Sequence, residues 1–317
     1  MQLKAPQLNF ILGGDLIVHR IGYGAMRLTG QPGNFGPYAD WEGGKELLRR
    51  AVRLGVNFVD TAGAYGPGAN EDIIREALHP YHKTDDEKSS RVIITTKGGI
   101  DKQAPDRIFR NASPEFLKQG VQESRKRLGV DCIDLYQLHF PDPKVPFLSS
   151  IQALKEMKDD GHIRHIGLSN VSLEQLKEAE EIVQIASVQM KYSLLDRSNE
   201  DILEYTKMKG IAFIPYGSLG AHPMKRGSPM AVTSDTAGDE SQPLQTLSKI
   251  AKAHESASST QIALAWLLHH APNTLLIPGT TTLAHLEDNM KAADIRLTSA
   301  EYEELSALAQ PASQRVK

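Results

Sequence analysis

The sequence predicts an α/β fold, a single (β/α)8 barrel, on three observations: eight short apolar or β-branched runs, a longer amphipathic stretch after each, and no Pro- or Ser-rich linker between halves. By length alone, 317 residues would also fit two domains. The two-domain doubly wound sheet requires G-x-G-x-x-G after its first strand, whereas Gly22-Tyr23-Gly24 runs into Ala25-Met26-Arg27 with no third glycine in place. A phosphate-binding P-loop is excluded in the same way, since Gly44-Lys45 is followed by Glu46 rather than Ser or Thr. One domain spanning residues 1–317 is therefore expected.

The elements follow in order. Residues 8–19 read as an N-terminal β-hairpin, two alternating runs joined by a Gly13-Gly14-Asp15 turn. Strands are expected at 21–24, 56–60, 92–96, 132–138, 163–168, 187–190, 211–215 and 275–277. The helix over 114–128 illustrates the rest: Phe116, Leu117, Val121, Ser124 and Leu128 recur at three- and four-residue spacing, Ser113 offers an N-cap before Pro114, and Gly129 stops the run. Long loops are expected at the C-terminal face, above all 221–242, whose Gly, Ser and Pro content and length exceed an ordinary connection.

Composition bounds the partners. A hydrophobic fraction of 40%, a charged fraction of 24% and a formal charge of −3 describe an ordinary globular chain without the field needed to gather nucleic acid or an anionic membrane surface. Cys132 is the single cysteine, so no internal disulfide forms and a cytoplasmic setting is expected. No run approaches the ~18 apolar residues of a membrane span. His162 with His165, and His269 with His270, are weak metal candidates, and no structural metal is expected.

In a barrel the chemistry sits where strand C-termini feed their loops. Asp60 closes the second strand, Lys97 and His139 follow the third and fourth, and Tyr65 lies just beyond Asp60. A phenol titrates near ~10 and is a poor acid at neutrality without help. A lysine ammonium beside it would lower its pKa, a carboxylate would keep that lysine charged, and an imidazole would hydrogen-bond a carbonyl oxygen. Taken singly, each residue is as readily a solvated rim group; four different functional groups at three adjacent strand ends favour the catalytic reading.

With those residues in view, the chain resembles the aldo-keto reductases, whose signature includes the Asp of GVNFVDTA, a Tyr shortly after it, and the Lys and His after the next two strands. The likeness extends through RIGYGAMRL, HIGLSN, VQMKYSLL and IPGTTTLAHLEDN, and is nearest to the bacterial branch that includes pyridoxal reductases. The resemblance implies NADPH, or less often NADH, lying across the barrel mouth. Gly24, Ala25, Met26 and Asp60 would border it, and Ser169, Asn170 and Gln189 would hold the carboxamide with Tyr216 stacked under the ring. Gly217, Ser218, Leu219, Gly279, Thr280, Thr281 and Thr282 would receive the phosphates, and His285, Asp288 and Asn289 the adenosine end. The sequence departs from many relatives at two of these places, with His285 where a 2′-phosphate-binding Arg is common and Gly279 where a Lys is common. The 221–242 stretch would fold over the cofactor. The implied reaction is hydride reduction of an aldehyde or ketone, Tyr65 giving the proton, with pyridoxal the first named substrate; Met26, Phe35, Trp41, Phe140 and Phe147 would meet it. A monomer or small homo-oligomer is expected. Two other readings compete: a nicotinamide-binding regulatory subunit like the auxiliary subunits of potassium channels, and a lyase forming a Schiff base on Lys97, which an Asp60 partner disfavours.

Overall fold

The computed structural model describes residues 1–81, 91–220, 242–255 and 257–309. The chain begins with β1 (Asn9–Leu12) and β2 (Leu16–His19), an antiparallel hairpin in which Leu12 faces Leu16. Its turn uses Gly13 and Gly14 at φ 65° and 95°, a conformation that L side chains avoid. A Cβ on Gly13 would stand 2.3 Å from the ring of His165, so the turn closes against that imidazole, whose Nε2 meets Asp15 Oδ1 at 2.6 Å. Leu12, Leu16 and Val18 join Phe58, Leu135 and Ile214 in one apolar cluster, which makes the hairpin a plug at the strands' N-terminal end.

Then come β3 (Tyr23–Gly24), a single 3-10 turn over Ala25–Arg27, α1 (Trp41–Arg53), β4 (Phe58–Asp60), α2 (Ala69–Leu78), β5 (Ile93–Gly98), and a second hairpin of β6 (Ile100–Lys102) and β7 (Ile108–Arg110). The alternation resumes with α3 (Pro114–Leu128), β8 (Ile133–Leu138), α4 (Phe147–Asp159), β9 (Ile163–Ser169), α5 (Leu173–Glu180), β10 (Ile185–Lys191), α6 (Glu200–Lys209) and β11 (Ala212–Tyr216). Four helices complete the described chain: α7 (Gln242–Ala253), α8 (Ser259–His270), α9 (Leu283–Lys291) and α10 (Ser299–Ser306). Residues 221–241 of the expected covering loop lie outside the described residues.

Among the described residues, β3, β4, β5, β8, β9, β10 and β11 form one seven-stranded parallel sheet whose spatial order is the chain order, as crossover helices between neighbours require. Helices outside and side chains inside bury both faces, so β5 and β8 are buried almost without a break even at Thr95, Thr96, Asp134 and Gln137. The eighth strand expected at 275–277 is not confirmed as a strand. That segment makes only isolated parallel bridges, Ile21 to Leu276 and Phe213 to Thr274, although Leu276 N donates to Arg20 O at 2.8 Å and Leu275 N to Phe213 O at 2.8 Å. Pro272 and Pro278 bracket it and have no N–H to extend a ladder.

Local chemistry explains the helix ends. Ser113 Oγ accepts from Phe116 N with Pro114 at the first position, and Gly129 ends α3 in the left-handed region at φ 70°. Ser172 with Gln175, Ser258 with Gln261 and Thr298 with Glu301 form capping boxes on α5, α8 and α10. Arg20, buried and without a carboxylate partner among the described residues, donates to the carbonyls of Gln7, Leu268, Ala271 and Thr274, tying the N-terminal segment to the end of α8. Among the described residues no helix is long and apolar enough to cross a membrane.

Candidate active site

Strand pairing brings the ionisable residues together. Asp60 ends β4 opposite Thr95 of β5, two residues before Lys97, and His139 follows the last residue of β8, the next strand over. The loop after β4 stays on β5 through Thr61 N to Thr95 O at 2.8 Å and Gly63 N to Lys97 O at 3.1 Å. It then turns into α2 through Gly66 and Gly68, both at positive φ, which carries Tyr65 over the lysine. Lys97 spends its three ammonium protons on Asp60 Oδ2 at 2.6 Å, Thr61 O at 2.8 Å and Tyr65 Oη at 3.4 Å. Gln189 Nε2 donates to the other carboxylate oxygen of Asp60 at 2.9 Å. The His139 ring meets that of Tyr65 edge-on, centroids 5.9 Å apart, and its Nδ1 is buried with no hydrogen-bond partner among the described residues.

A scaffold beneath these groups fixes them. Buried Asn70 of α2 accepts from Thr61 Oγ1 and donates to the carbonyls of Ala25 and Leu28, linking the Asp60 loop to the 3-10 turn. Buried Glu71 accepts from Thr96 Oγ1 and from Arg127 Nε, each at 2.6 Å, which clamps α2 and α3 onto β5.

The electrostatics follow from burial and charge. Burial works against the Lys97 ammonium, but Asp60 and Tyr65 outweigh it, so its pKa rises above the ordinary lysine value. For Tyr65 burial pushes the phenol up, and the Lys97 charge that pulls it down does not overcome burial together with Asp60. This corrects the sequence-based expectation: the lysine opposes the rise without reversing it, and Tyr65 keeps its proton at neutral pH. Burial first, and Lys97 second, hold His139 well below the usual imidazole range, so its ring is neutral.

Tyr65, His139 and Asp60 open on a cavity of about 580 Å³, the size of a cofactor or substrate site. Gly24, Met26, Ser169, Asn170, Gln189, Tyr216, Gly217, Ser218, Leu219, Gly279, Thr280, Thr281, His285, Asp288 and Asn289 line the same space. Ala25 and Thr282 do not: Ala25 is buried in the core, and Thr282 caps α9 by accepting from His285 N. The floor between β3 and residues 277–279 admits only glycine. A Cβ on Gly24 would lie 2.5 Å from Ile277 O, and one on Gly279 would lie 2.6 Å from Gly24 O. Asn170 holds its amide by donating to His139 O at 3.1 Å and Ser169 Oγ at 2.9 Å, while Tyr216 Oη donates to its Oδ1 at 2.7 Å.

The expected substrate aromatics divide. Met26 and Phe140 line the cavity, and Phe140 stacks on His139 with centroids 5.4 Å apart. Trp41, Phe35 and Phe147 lie elsewhere. Trp41 opens α1 and its indole N–H donates to Glu76 at the surface, Phe147 opens α4 and packs on the core, and the Phe35 amide closes a turn to Gly30 O. Sequence reasoning overlooked Arg27 and Asn34, and it overlooked Ile100, Lys102 and Ile108 on the β6–β7 hairpin, all of which line the cavity. The available cue was the Gly98-Gly99 pair and the Ile100–Lys102 run after Lys97, to which sequence reasoning assigned no element.

Against known proteins, residues 20–310 match the model of the Aldo/keto reductase family. An uncharacterized oxidoreductase of Schizosaccharomyces pombe is 40% identical over 303 residues, covering 96% of this chain and 90% of its own. The pyridoxine 4-dehydrogenase of Escherichia coli is 38% identical over 291 residues, covering 90% of this chain and 93% of its own. Among solved structures, a thermostable aldo-keto reductase complexed with the inhibitor epalrestat superposes with a TM-score of 0.78 at 28% identity, covering 96% of this chain and all of that one (100%).

Proposed function

The chain belongs to the aldo/keto reductase family, and on that premise we propose that it reduces an aldehyde or ketone to the alcohol with NADPH, Tyr65 acting as the general acid. The observation that carries this reading is the set of three hydrogen bonds that the buried Lys97 ammonium donates, to Asp60, to the Thr61 carbonyl and to the hydroxyl of Tyr65.

The cavity suits the cofactor. Its glycine floor at Gly24 and Gly279 lets an extended molecule approach backbone closely, and His139 and Ser169 stand at one end. Gln189 turns its N–H to Asp60 and has its carbonyl oxygen to offer, while Ser169 and Asn170 lie beside it, a set able to hold a carboxamide. Tyr216 is anchored through its hydroxyl and presents a ring face for stacking. Gly217, Ser218, Thr280 and Thr281 would take the phosphates, with His285, Asp288 and Asn289 at the adenosine end. Exposed Arg27, on the 3-10 turn that starts at Gly24, brings a cation to that side. Asp288 is itself held in place by Ser258 and Gln261. When bound, the reduced nicotinamide supplies the hydride.

The protein's own groups do the rest. Neutral His139 offers an N–H to the substrate oxygen, fixing the carbonyl and stabilising charge as it grows there. Tyr65, protonated at neutral pH, donates its hydroxyl proton to that oxygen. As the phenolate forms, the Lys97 ammonium stands 3.4 Å away to receive the charge, and Asp60 keeps the ammonium protonated and aimed. Alcohol oxidation runs the same steps in reverse.

Pyridoxal is the first substrate proposed, supported by the sequence likeness and by the activity for which the Escherichia coli relative is named. A panel of carbonyl compounds, pyridoxal included, assayed by loss of reduced-nicotinamide absorbance with NADPH and NADH, tests the reading. Turnover of at least one aldehyde with NADPH preferred over NADH is expected; no turnover of any member would overturn it.

A further inference from the structure

The cavity holds a cation that the reaction just described does not use. Lys102 ends β6 and is half-buried in the cavity wall; its ammonium donates to the carbonyls of Gly33 and Asn34, at 2.9 Å to the latter. Two of its three protons are so engaged, and among the described residues no carboxylate pairs with it. The acidic groups of the cavity are committed elsewhere, Asp60 to Lys97 and Gln189, and Asp288 to Ser258 and Gln261. Burial alone pushes the Lys102 ammonium down from its ordinary value, the signature of a charge desolvated without a counter-ion.

Its position is informative. The Asn34 carbonyl that accepts from Lys102 also accepts from Gly66 N, the residue after Tyr65, so the ammonium sits one shared acceptor away from the acid's own backbone. Apolar side chains line the same wall, Ile100 and Ile108 from the same hairpin and Phe140, whose ring lies under Arg110 of β7. The hairpin is also held by Pro105, whose Cβ lies where a Cβ on Gly33 would be, 2.7 Å from it, so Lys102 is not the only clasp between the two loops.

Resting on the proposed carbonyl reduction, we infer that, beyond the pyridoxal proposed above, the site prefers aldehydes whose apolar or aromatic body bears an anionic group, carboxylate or phosphate, and that Lys102 reads this anion. An anion of that kind would take the ammonium's third proton and supply the missing counter-ion, while the body lies against Ile100, Ile108 and Phe140 and the carbonyl reaches Tyr65 and His139.

Two matched pairs test it: benzaldehyde against 4-carboxybenzaldehyde, and pyridoxal against pyridoxal 5′-phosphate, each assayed with NADPH for the wild type, Lys102→Gln and Lys102→Arg. In the wild type the anionic member of at least one pair is expected to have the higher kcat/KM through a lower KM, and which pair responds separates carboxylate from phosphate. Lys102→Gln should lower the anionic-to-neutral ratio about tenfold, the effect of one charge-assisted contact of about 1.4 kcal/mol, and Lys102→Arg should keep it. Equal kcat/KM within both pairs in the wild type would overturn the inference, as would a ratio untouched by Lys102→Gln while both members fall together, the behaviour of a loop clasp. Absence of turnover with all four aldehydes would instead overturn the carbonyl-reductase reading beneath it.

Discussion

Replacing Asp60 by Asn isolates what the buried ion pair does. The Asp60 and Lys97 side chains are 4% and 0% exposed and 2.6 Å apart. The variant keeps the shape but removes the counter-ion, and its single amide oxygen can accept from Lys97 or from Gln189 but not both. Removing one partner of a buried pair costs about 3–5 kcal/mol, which for a chain this long lowers the melting temperature by roughly 5–15 °C. The pH dependence should change sign. In the wild type the folded-state pKa of Lys97 is raised, so its contribution is fully present below the unfolded lysine value near ~10.4 and is lost as pH rises through the folded value. In Asp60→Asn, burial acts with little opposition, the folded state binds fewer protons than the unfolded one, and stability climbs as pH rises toward the lysine range. Thermal and urea melts between neutral and alkaline pH read both effects, and adding Lys97→Met should recover part of the loss, because no orphaned charge remains. A variant that melts within a degree of the wild type with the same alkaline slope would refute the account of the pair.

Three further outcomes are expected. Reduction rates should be flat through neutrality and fall only in the alkaline range, as Tyr65 ionises above its ordinary value, with no break near ~6.5, because His139 stays neutral; a pH–rate profile with a step there contradicts this. The same depressed His139 pKa means stability is lost as pH falls through the unfolded histidine value, and His139→Gln should flatten that acid slope in denaturant titrations. Gly24→Ala forces a methyl to 2.5 Å from Ile277 O, so about 1–3 kcal/mol of stability should go together with NADPH affinity, measured by melts and calorimetry.

What the sequence made legible was set by topology. Asp60 and His139 stand at strand ends, Lys97 is the penultimate residue of its own strand, and a barrel gathers strand ends on one rim whatever the loops do, so their meeting needs no knowledge of side-chain packing. Positions decided by orientation were another matter. Trp41, Phe35 and Phe147 occupy suitable loops or helix starts, yet Trp41 turns to Glu76 and Phe147 to the core, choices made by neighbours distant in sequence. The scaffold of Asn70, Glu71 and Arg127 was hidden for the same reason, its partners lying up to 56 residues apart. The direction of the Tyr65 shift depends on how far burial outweighs a nearby ammonium, a balance that residue order does not encode. The expected eighth strand is reduced to isolated bridges because Pro272 and Pro278, which have no N–H, close off the short run between them before a ladder can extend. The β6–β7 hairpin was undercounted because its charged residues masked its pairing, and with it went Lys102.

The proton that Tyr65 gives is the centre of the account, and one substitution removes it alone. Tyr65→Phe keeps the ring and its contact with His139 and deletes only the hydroxyl beside Lys97. Single-turnover rates with the best aldehyde of the panel, taken alongside NADPH binding by calorimetry, should show about 10²–10⁴-fold slower reduction at a cofactor affinity near that of the wild type. A variant that still reduces the aldehyde at close to the wild-type rate would contradict the assignment of Tyr65 as the acid.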